Sequence, residues 1–304
     1  MTVRLSVDRQ RWTNHVTSTL AEYPAPVPVV KGNGYGFGRD HLAAIAAQQC
    51  TTIAVGTVHE LGSVPTGVTA VVLTPSLIAP DSSAPILTVG APEHIAPLRG
   101  WSGRVLVKLA SSMHRYGAGH ELIDIARDAG LDVVGVSIHP PLQTDGHDHA
   151  DDICDLVADV DPSLEVWVSH VATTITERLH GRQVRHRIGT RLWHGDRDAL
   201  HLSAQVIDVR PITAGSTVGY RQTTVTTDGH LVMVGAGSAH GVAPLSDGRS
   251  PFHHQRTRLD MVELPHMHTT MLHVPTSGVV PRTGEWLDLQ RPLTQTYVDV
   301  IDWN

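Results

Sequence analysis

The sequence predicts an α/β protein, a (β/α)8 barrel of the TIM type followed by a smaller C-terminal all-β domain. Three observations predict it. Short β-branched apolar runs alternate with amphipathic segments over the first two-thirds of the 304 residues, and eight such runs can be counted. After about Ala204 the helical spacing stops, and Gly, Pro and Thr separate short extended runs. The domains are therefore placed at residues 1–203 for the barrel and 204–304 for the β domain, with the boundary near residues 202–204.

Taken in order, the barrel strands are predicted at residues 27–30, 52–56, 70–73, 86–89, 104–109, 132–138, 165–168 and 185–188. Asp40 is an N-cap for a helix over 41–49, directly after the loop that follows the first strand. Leu122, Ile125, Ala126 and Ala129 recur at i, i+3, i+4 and i+7, with Gly130 as the C-terminal cap. Ile153, Leu156, Val157 and Val160 repeat that pattern. In the last third, extended runs are predicted at 205–209, 230–234, 261–264, 285–289 and 295–301.

Composition narrows the function classes. No stretch approaches the roughly 20 apolar residues that a membrane span requires, so no membrane association is predicted. Arg4, Asp8, Arg9, Arg11 and His15 interrupt the first 20 residues, unlike a secretory signal, which makes the cytoplasm the expected compartment. A net charge of −7 without a basic run speaks against nucleic acid. Cys50 and Cys154 sit in apolar stretches that read as helices, which favours packing over a disulfide or a metal site. Of the 21 histidines the densest group is His139, His147 and His149, around the loop at 140–146; no HExxH or paired CxxC spacing accompanies it, so no metal is predicted.

In a barrel of this kind, polar residues at the carboxyl ends of strands face the site, because the strand-to-helix loops gather on one rim. Lys31 ends strand one and opens the glycine-rich run Lys31-Gly32-Asn33-Gly34-Tyr35-Gly36-Phe37-Gly38. Lys108 and Arg115 follow strand five, His139 ends strand six, Ser169 and His170 end strand seven, and Arg187, Gly189 and Thr190 end strand eight. Lys31 has two readings. Its ammonium can simply reach for water at a strand end; alternatively, glycines let the backbone approach a ligand, and an amine desolvated there becomes a nucleophile toward an aldehyde.

The segment Val29-Val30-Lys31-Gly32-Asn33-Gly34-Tyr35-Gly36-Phe37-Gly38 resembles the cofactor-lysine motif of the alanine racemases, agreeing at seven of ten positions. Val107-Lys108-Leu109, Met113-His114-Arg115-Tyr116-Gly117 and Arg187-Ile188-Gly189 look like further family segments in the family's order. Ala214-Gly215-Ser216-Thr217-Val218-Gly219-Tyr220 and Gln295-Thr296-Tyr297 do so in the last third. The resemblance implies a pyridoxal 5'-phosphate-dependent isomerase that takes a small-molecule amino acid substrate and works as a homodimer, each site completed by the neighbour's β domain.

By the same resemblance, Lys31 would carry the cofactor as an imine and act as acid/base on one face of the substrate carbon. Tyr35, Tyr297 and the backbone N–H groups near Gly189 and Thr190 would hold the phosphate, with Ser169 assisting. Arg187 would sit on the pyridine nitrogen, Arg115 near the phenolic oxygen, and His139 would support the ring and Arg187. Lys108 matches a lysine that is carbamylated in some family members and fixes the arginine corresponding to Arg115. Singly, each of these residues also suits packing or a surface ion pair.

The pattern breaks where a second acid/base is needed. The family's glycine-tyrosine-alanine-aspartate-glycine segment reads Gly235-Ala236-Gly237-Ser238-Ala239-His240-Gly241 here, so Ala236 stands in place of the tyrosine. His240 is the candidate replacement, with Ser238 nearby. A one-base pyridoxal phosphate enzyme, such as a decarboxylase, lyase or slow transaminase, and a non-catalytic cofactor-binding protein remain as alternatives.

Overall fold

The computed structural model describes residues 2–142 and 149–304 and comprises two compact units. One joins Met1–Asn14, Tyr35–Gly38 and Asp196–Asn304, and the other joins His15–Gly34 and Arg39–Gly195. The chain opens with strand β1 (Val3–Val7), in which buried Val3, Leu5 and Val7 alternate with polar residues, and helix α1 (Arg9–Ala21); neither is among the predicted elements. In α1 only Trp12, Val16, Thr19 and Leu20 are buried, too thin a stripe to read against a polar background.

The second unit is the barrel. Its strands are β2 (Pro26–Pro28), β3 (Thr52–Val55), β4 (Thr69–Val72), β5 (Ile86–Val89), β6 (Arg104–Lys108), β7 (Asp132–Ser137), β8 (Glu165–Val168) and β9 (Val184–Ile188). They pair in the order β2-β9-β8-β7-β6-β5-β4-β3, every pair parallel. The ring is joined by a parallel bridge between Val29 and Ala54, where the Val30 N–H donates to the Ala54 carbonyl (2.8 Å). Parallel strands must be apolar on both faces, and β5 and the last four residues of β6 are buried without interruption.

Helices α2 (Arg39–Ala47), α3 (Pro92–Ile95), α4 (Glu121–Asp128), α5 (His149–Val157), α6 (Ile175–Arg178) and α7 (Thr190–His194) belong to this unit. Two local expectations need correction. Asp40 lies inside the first turn of α2 rather than capping it, where its charge still favours the helix N-terminus. In α4 the buried residues are Leu122, Ile123 and Ala126, while Ile125 is 40% exposed. Gly130 does end the segment in the left-handed region (φ 83°), and the Leu131 N–H closes back on the Ala126 carbonyl at 3.1 Å.

The first unit is built on a long, bulged strand, β10 (Leu200–Ile212). It continues through β11 (Thr217–Val218), β12 (Thr223–Thr224), β13 (Gly229–Val234), β14 (Phe252–His254), β15 (Thr257–Arg258), β16 (Asp260–Met261), β17 (Thr270–Pro275), β18 (Trp286–Leu289) and β19 (Val300–Trp303). The main sheet runs β15-β14-β18-β10-β13-β17-β16, and β1 lies between β10 and β19. Val206, Val232, Phe252, Leu272 and Leu287 fill its core.

A single cut near residue 203 does not describe this division, because the first fourteen residues pair with the C-terminal sheet. Residues 35–38 group with the same unit through the packing of Phe37 against Trp12 and Trp303. The extended run expected at 295–301 is a short 3-10 turn, Leu293–Gln295, with strand only from Val300. Thr296 Oγ1 donates to the Pro292 carbonyl, and this side-chain turn replaces sheet pairing there. Among the described residues, no helix is long and apolar enough to cross a membrane.

These positions predict unequal costs for two similar truncations. Leu106→Ala, in the fully buried wall of β6, should lose about 2–5 kcal/mol, whereas Ile125→Ala on exposed α4 surface should lose less than about 1 kcal/mol. Urea unfolding of the two variants checks the difference.

Candidate active site

Lys31 follows β2 and begins a turn whose backbone only glycine tolerates at one point. A Cβ on Gly34 (φ 63°) would lie 2.5 Å from the Arg39 nitrogen, so this glycine is required by the chain's own return into α2 before any ligand is considered. Glu60, in the 3-10 segment Val58–Ser63 after β3, fastens the turn from the opposite side. Its carboxylate accepts the N–H of Gly32 (3.2 Å) and of Gly56 (2.6 Å). Arg39 donates to the Gly32 carbonyl at 2.8 Å and stands 3.8 Å from Glu60.

Lys31 as a residue is exposed, but its amine end is sheltered. Burial lowers its pKa first, repulsion from Arg115 and Arg187 adds to this, and Glu60 alone opposes. Lys108, at the end of β6, is buried, and its pKa is lowered to about 7 by burial and then by Arg187 and Arg115. The Lys108 ammonium lies 5.6 Å from the Tyr116 ring centre, and the Arg115 guanidinium covers the same ring at 4.8 Å.

Arg187 is buried inside the barrel. It donates to Ser137 Oγ (2.9 Å) and to the carbonyls of Ile138 (2.6 Å), Trp167 (3.3 Å) and Val168 (3.4 Å). Burial lowers its pKa to about 10. His139, half-buried, meets His170 edge to face with ring centres 4.8 Å apart. Burial, then Arg187, keeps both imidazoles below their ordinary range and therefore neutral at pH 7. Ser169, His170, Arg187, Gly189 and Thr190 line a cavity of about 440 Å³ at the ends of β8 and β9, and Gly189 is the N-cap of α7.

Lys31, Lys108, Arg115, Arg187, His139, His170, Ser169, Gly189 and Thr190 are thus all brought to one rim of the barrel unit. Glu60 and Tyr116 complete this rim. Sequence reasoning gave no role to Glu60 or Tyr116, although the strand-end logic applied to β3 and β6 points to both. Of the three histidines considered for a metal, His147 lies outside the described residues. Among the described residues, no group of three or more His, Cys, Asp or Glu is arranged to hold a metal ion.

The remaining candidates belong to the other unit. Tyr35 sits in the turn Gly34–Gly36, 6% exposed, and burial raises its pKa to about 12. Tyr297 is 64% exposed. His240 is buried in a short turn, its Nδ1 accepting the Gly237 N–H (3.2 Å) and its Nε2 standing 3.5 Å from Asp299. That carboxylate also accepts the N–H groups of Thr2 and Val3, so His240 is engaged in holding the N-terminal strand. Ala236 is fully buried in the β core, its carbonyl accepting Thr270 Oγ1 (2.6 Å).

The family model described as the N-terminal domain of alanine racemase matches residues 7–161, just over half of the chain. The chain belongs to the alanine racemase family. Solved structures of alanine racemases share its fold. The enzyme from Bartonella henselae, with covalently bound pyridoxal phosphate, is 18% identical with a TM-score of 0.73, covering 99% of both chains. The enzyme from Acinetobacter baumannii is 17% identical with a TM-score of 0.69 over 100% of both chains. That from Bacillus anthracis, with bound L-Ala-P, is 20% identical with a TM-score of 0.72, over 95% of this chain and 85% of that one. No curated protein sequence matches the chain.

The depressed pKa of Lys108 carries a stability prediction with a definite sign. Between its folded value of about 7 and its unfolded value near 10.5, the unfolded chain binds the extra proton, so the residue costs most at low pH. Lys108→Met should therefore raise stability by about 1–3 kcal/mol near pH 6 and by less near pH 9. Thermal unfolding of variant and parent at the two pH values checks it.

Proposed function

We propose that the protein is a pyridoxal 5'-phosphate-dependent amino acid racemase that works as a homodimer. One observation carries the reading: the amine of Lys31, its pKa lowered, stands among Lys108, Arg115 and Arg187 on the rim that also bears the cavity beside Gly189 and Thr190. An amine that sheds its proton more readily attacks aldehydes. A rim crowded with cations and holding few carboxylates draws anions. A phosphorylated aldehyde answers both demands, so the residues present fit the cofactor.

Lys31 would hold the aldehyde carbon covalently. The phosphate would be held by backbone N–H groups at Gly189 and Thr190, which open α7, by Ser169, and by Tyr35 and Tyr297. Arg115 would face the phenolic oxygen, and His139 would back the ring. Four of the five N–H donors of Arg187 are engaged by the barrel, which leaves one for the ring nitrogen. Because a guanidinium keeps its proton, that nitrogen would stay unprotonated and side reactions would be restrained. Pyridoxal phosphate, when bound, supplies a sink for the electron pair left when a substrate Cα–H bond breaks. Lys31 takes and returns the proton at Cα on one face, and the surrounding arginines and Lys108 draw in the substrate carboxylate.

The second face is supplied by the β unit of the neighbouring subunit. The compartment proposed is the cytoplasm, with no nucleic acid or membrane partner. The burial of Ala236 favours, as the second reading, a one-base enzyme such as a decarboxylase or lyase. Cofactor titration should give the visible absorption band of lysine-bound pyridoxal phosphate in the parent protein and none in Lys31→Ala. Sedimentation at micromolar concentration should give a dimer. In deuterated water, exchange at Cα with inversion supports the racemase, exchange with retention the one-base enzyme, and no exchange a cofactor-binding protein.

A further inference from the structure

Lys31 and Gly56 each stand two residues beyond the parallel bridge between Val29 and Ala54 that joins the barrel ring, which sets the lysine beside the glycine. A Cβ on Gly56 would fall 3.2 Å from Lys31 Cβ, and 3.0 and 3.2 Å from the two carboxylate oxygens of Glu60. The lysine stem and the carboxylate thus meet over a residue that has no side chain to keep them apart.

Glu60 is tied to that place by the backbone on both sides of the lysine. Its oxygens accept the N–H groups of Gly32 and Gly56, Arg39 of α2 stands 3.8 Å away, and its side chain is only 14% exposed. Among the described residues, the other charges that act on the Lys31 amine are Arg115, from the loop after β6, and Arg187, on β9. The His170 imidazole, after β8, also feels the Lys31 charge and is itself neutral at pH 7. Glu60 is therefore the one anion set against burial and two guanidinium groups. Acid/base work at carbon limits how far those two effects can go. An amine that gives up its proton too readily attacks an aldehyde well, but it holds the proton of a C–H bond poorly. A fixed negative charge beside the lysine stem supplies the missing attraction.

We propose that Glu60 is the positioning residue of Lys31, aiming the amine at the rim and supplying the negative charge that lets it keep the proton taken from Cα. The inference rests on the reading of Lys31 as acid/base given above, and it holds for the racemase and the one-base enzyme alike. When the Cα–H bond breaks, the electron pair stays with the carbon and the proton passes to the Lys31 nitrogen. Glu60 offsets the new positive charge and takes no proton itself; the return transfer reverses the step and leaves Glu60 unchanged. Gly56 is the second requirement, because a side chain there would part the two groups.

The sequence holds two lysines, Lys31 and Lys108, so cofactor-free protein carrying isotope-labelled lysine gives two side-chain NMR signals, which Lys31→Ala assigns. In Glu60→Gln the Lys31 signal should titrate at lower pH than in the parent. The Lys108 signal should stay in place, because Glu60 is not among the charges that act on it. A merely structural loss would move both or neither. Glu60→Asp, which restores the charge, should move the Lys31 midpoint back toward that of the parent. In the holoenzyme, Glu60→Gln should form the lysine-bound absorption band no more slowly than the parent at pH 7, yet exchange the Cα hydrogen in deuterated water about 10-fold or more slowly. Should Glu60→Gln fail to fold, Gly56→Ala, at a position whose backbone is not left-handed, should show the same downward movement of the Lys31 midpoint. An unmoved Lys31 midpoint, equal movement of both lysines, or Cα exchange within about threefold of the parent overturns the role of Glu60 and leaves the function proposed above standing. A parent that exchanges no amino acid at Cα overturns that function, and this inference with it, whatever the titration shows.

Discussion

One buried guanidinium, that of Arg187, bears on every titratable nitrogen at the barrel rim that has a lowered pKa. Arg187 points into the barrel and donates to Ser137 and to carbonyls at the ends of two strands, β7 and β8. A charge in that position raises the electrostatic cost of every further proton nearby. Lys31, Lys108, His139 and His170 all have lowered pKa values, with their own burial the largest cause and Arg187 among the others. The rim accordingly combines two lasting guanidinium charges, Arg115 and Arg187, which attract an anion, with nitrogen groups that lose their protons readily. Glu60 is the counterweight, and it acts on Lys31 while its oxygens brace the turn that carries that lysine.

The barrel is legible in the sequence because parallel strands buried on two faces leave uninterrupted apolar runs, and all eight predicted runs are strands. The strand ends then name most of the rim residues. The β unit is harder to read. Apart from β10 its strands are short, β1 pairs with residues some two hundred positions away, and α1 hides its four buried residues among polar ones. Local spacing cannot report a partner that distant. At 295–301 the reason is local, since the Thr296 hydroxyl bonded to the Pro292 carbonyl makes a turn where a strand is expected.

The glycine-rich run shows where a correct reading had an incomplete reason. Gly34 answers to the backbone of Arg39 and Gly36 to Leu293, so at these two positions the requirement comes from packing within the protein. Likewise His240, chosen for its place in a glycine-rich segment, is committed to Gly237 and Asp299, a commitment visible only once the sheet is formed.

The pairing of β1 with both β10 and β19 bears on how the chain comes together during synthesis. The barrel can form while later residues are still emerging, because all eight of its strands lie before residue 189 and all but the β2–β9 pair join strands consecutive in the chain. Residues 3–7 then wait with open edges on both sides until residues 200–204 and finally 300–303 arrive. Residues 300–303 thus cover one edge of β1, and a chain interrupted before Val300 would leave that strand edge exposed, the kind of surface on which chains associate wrongly.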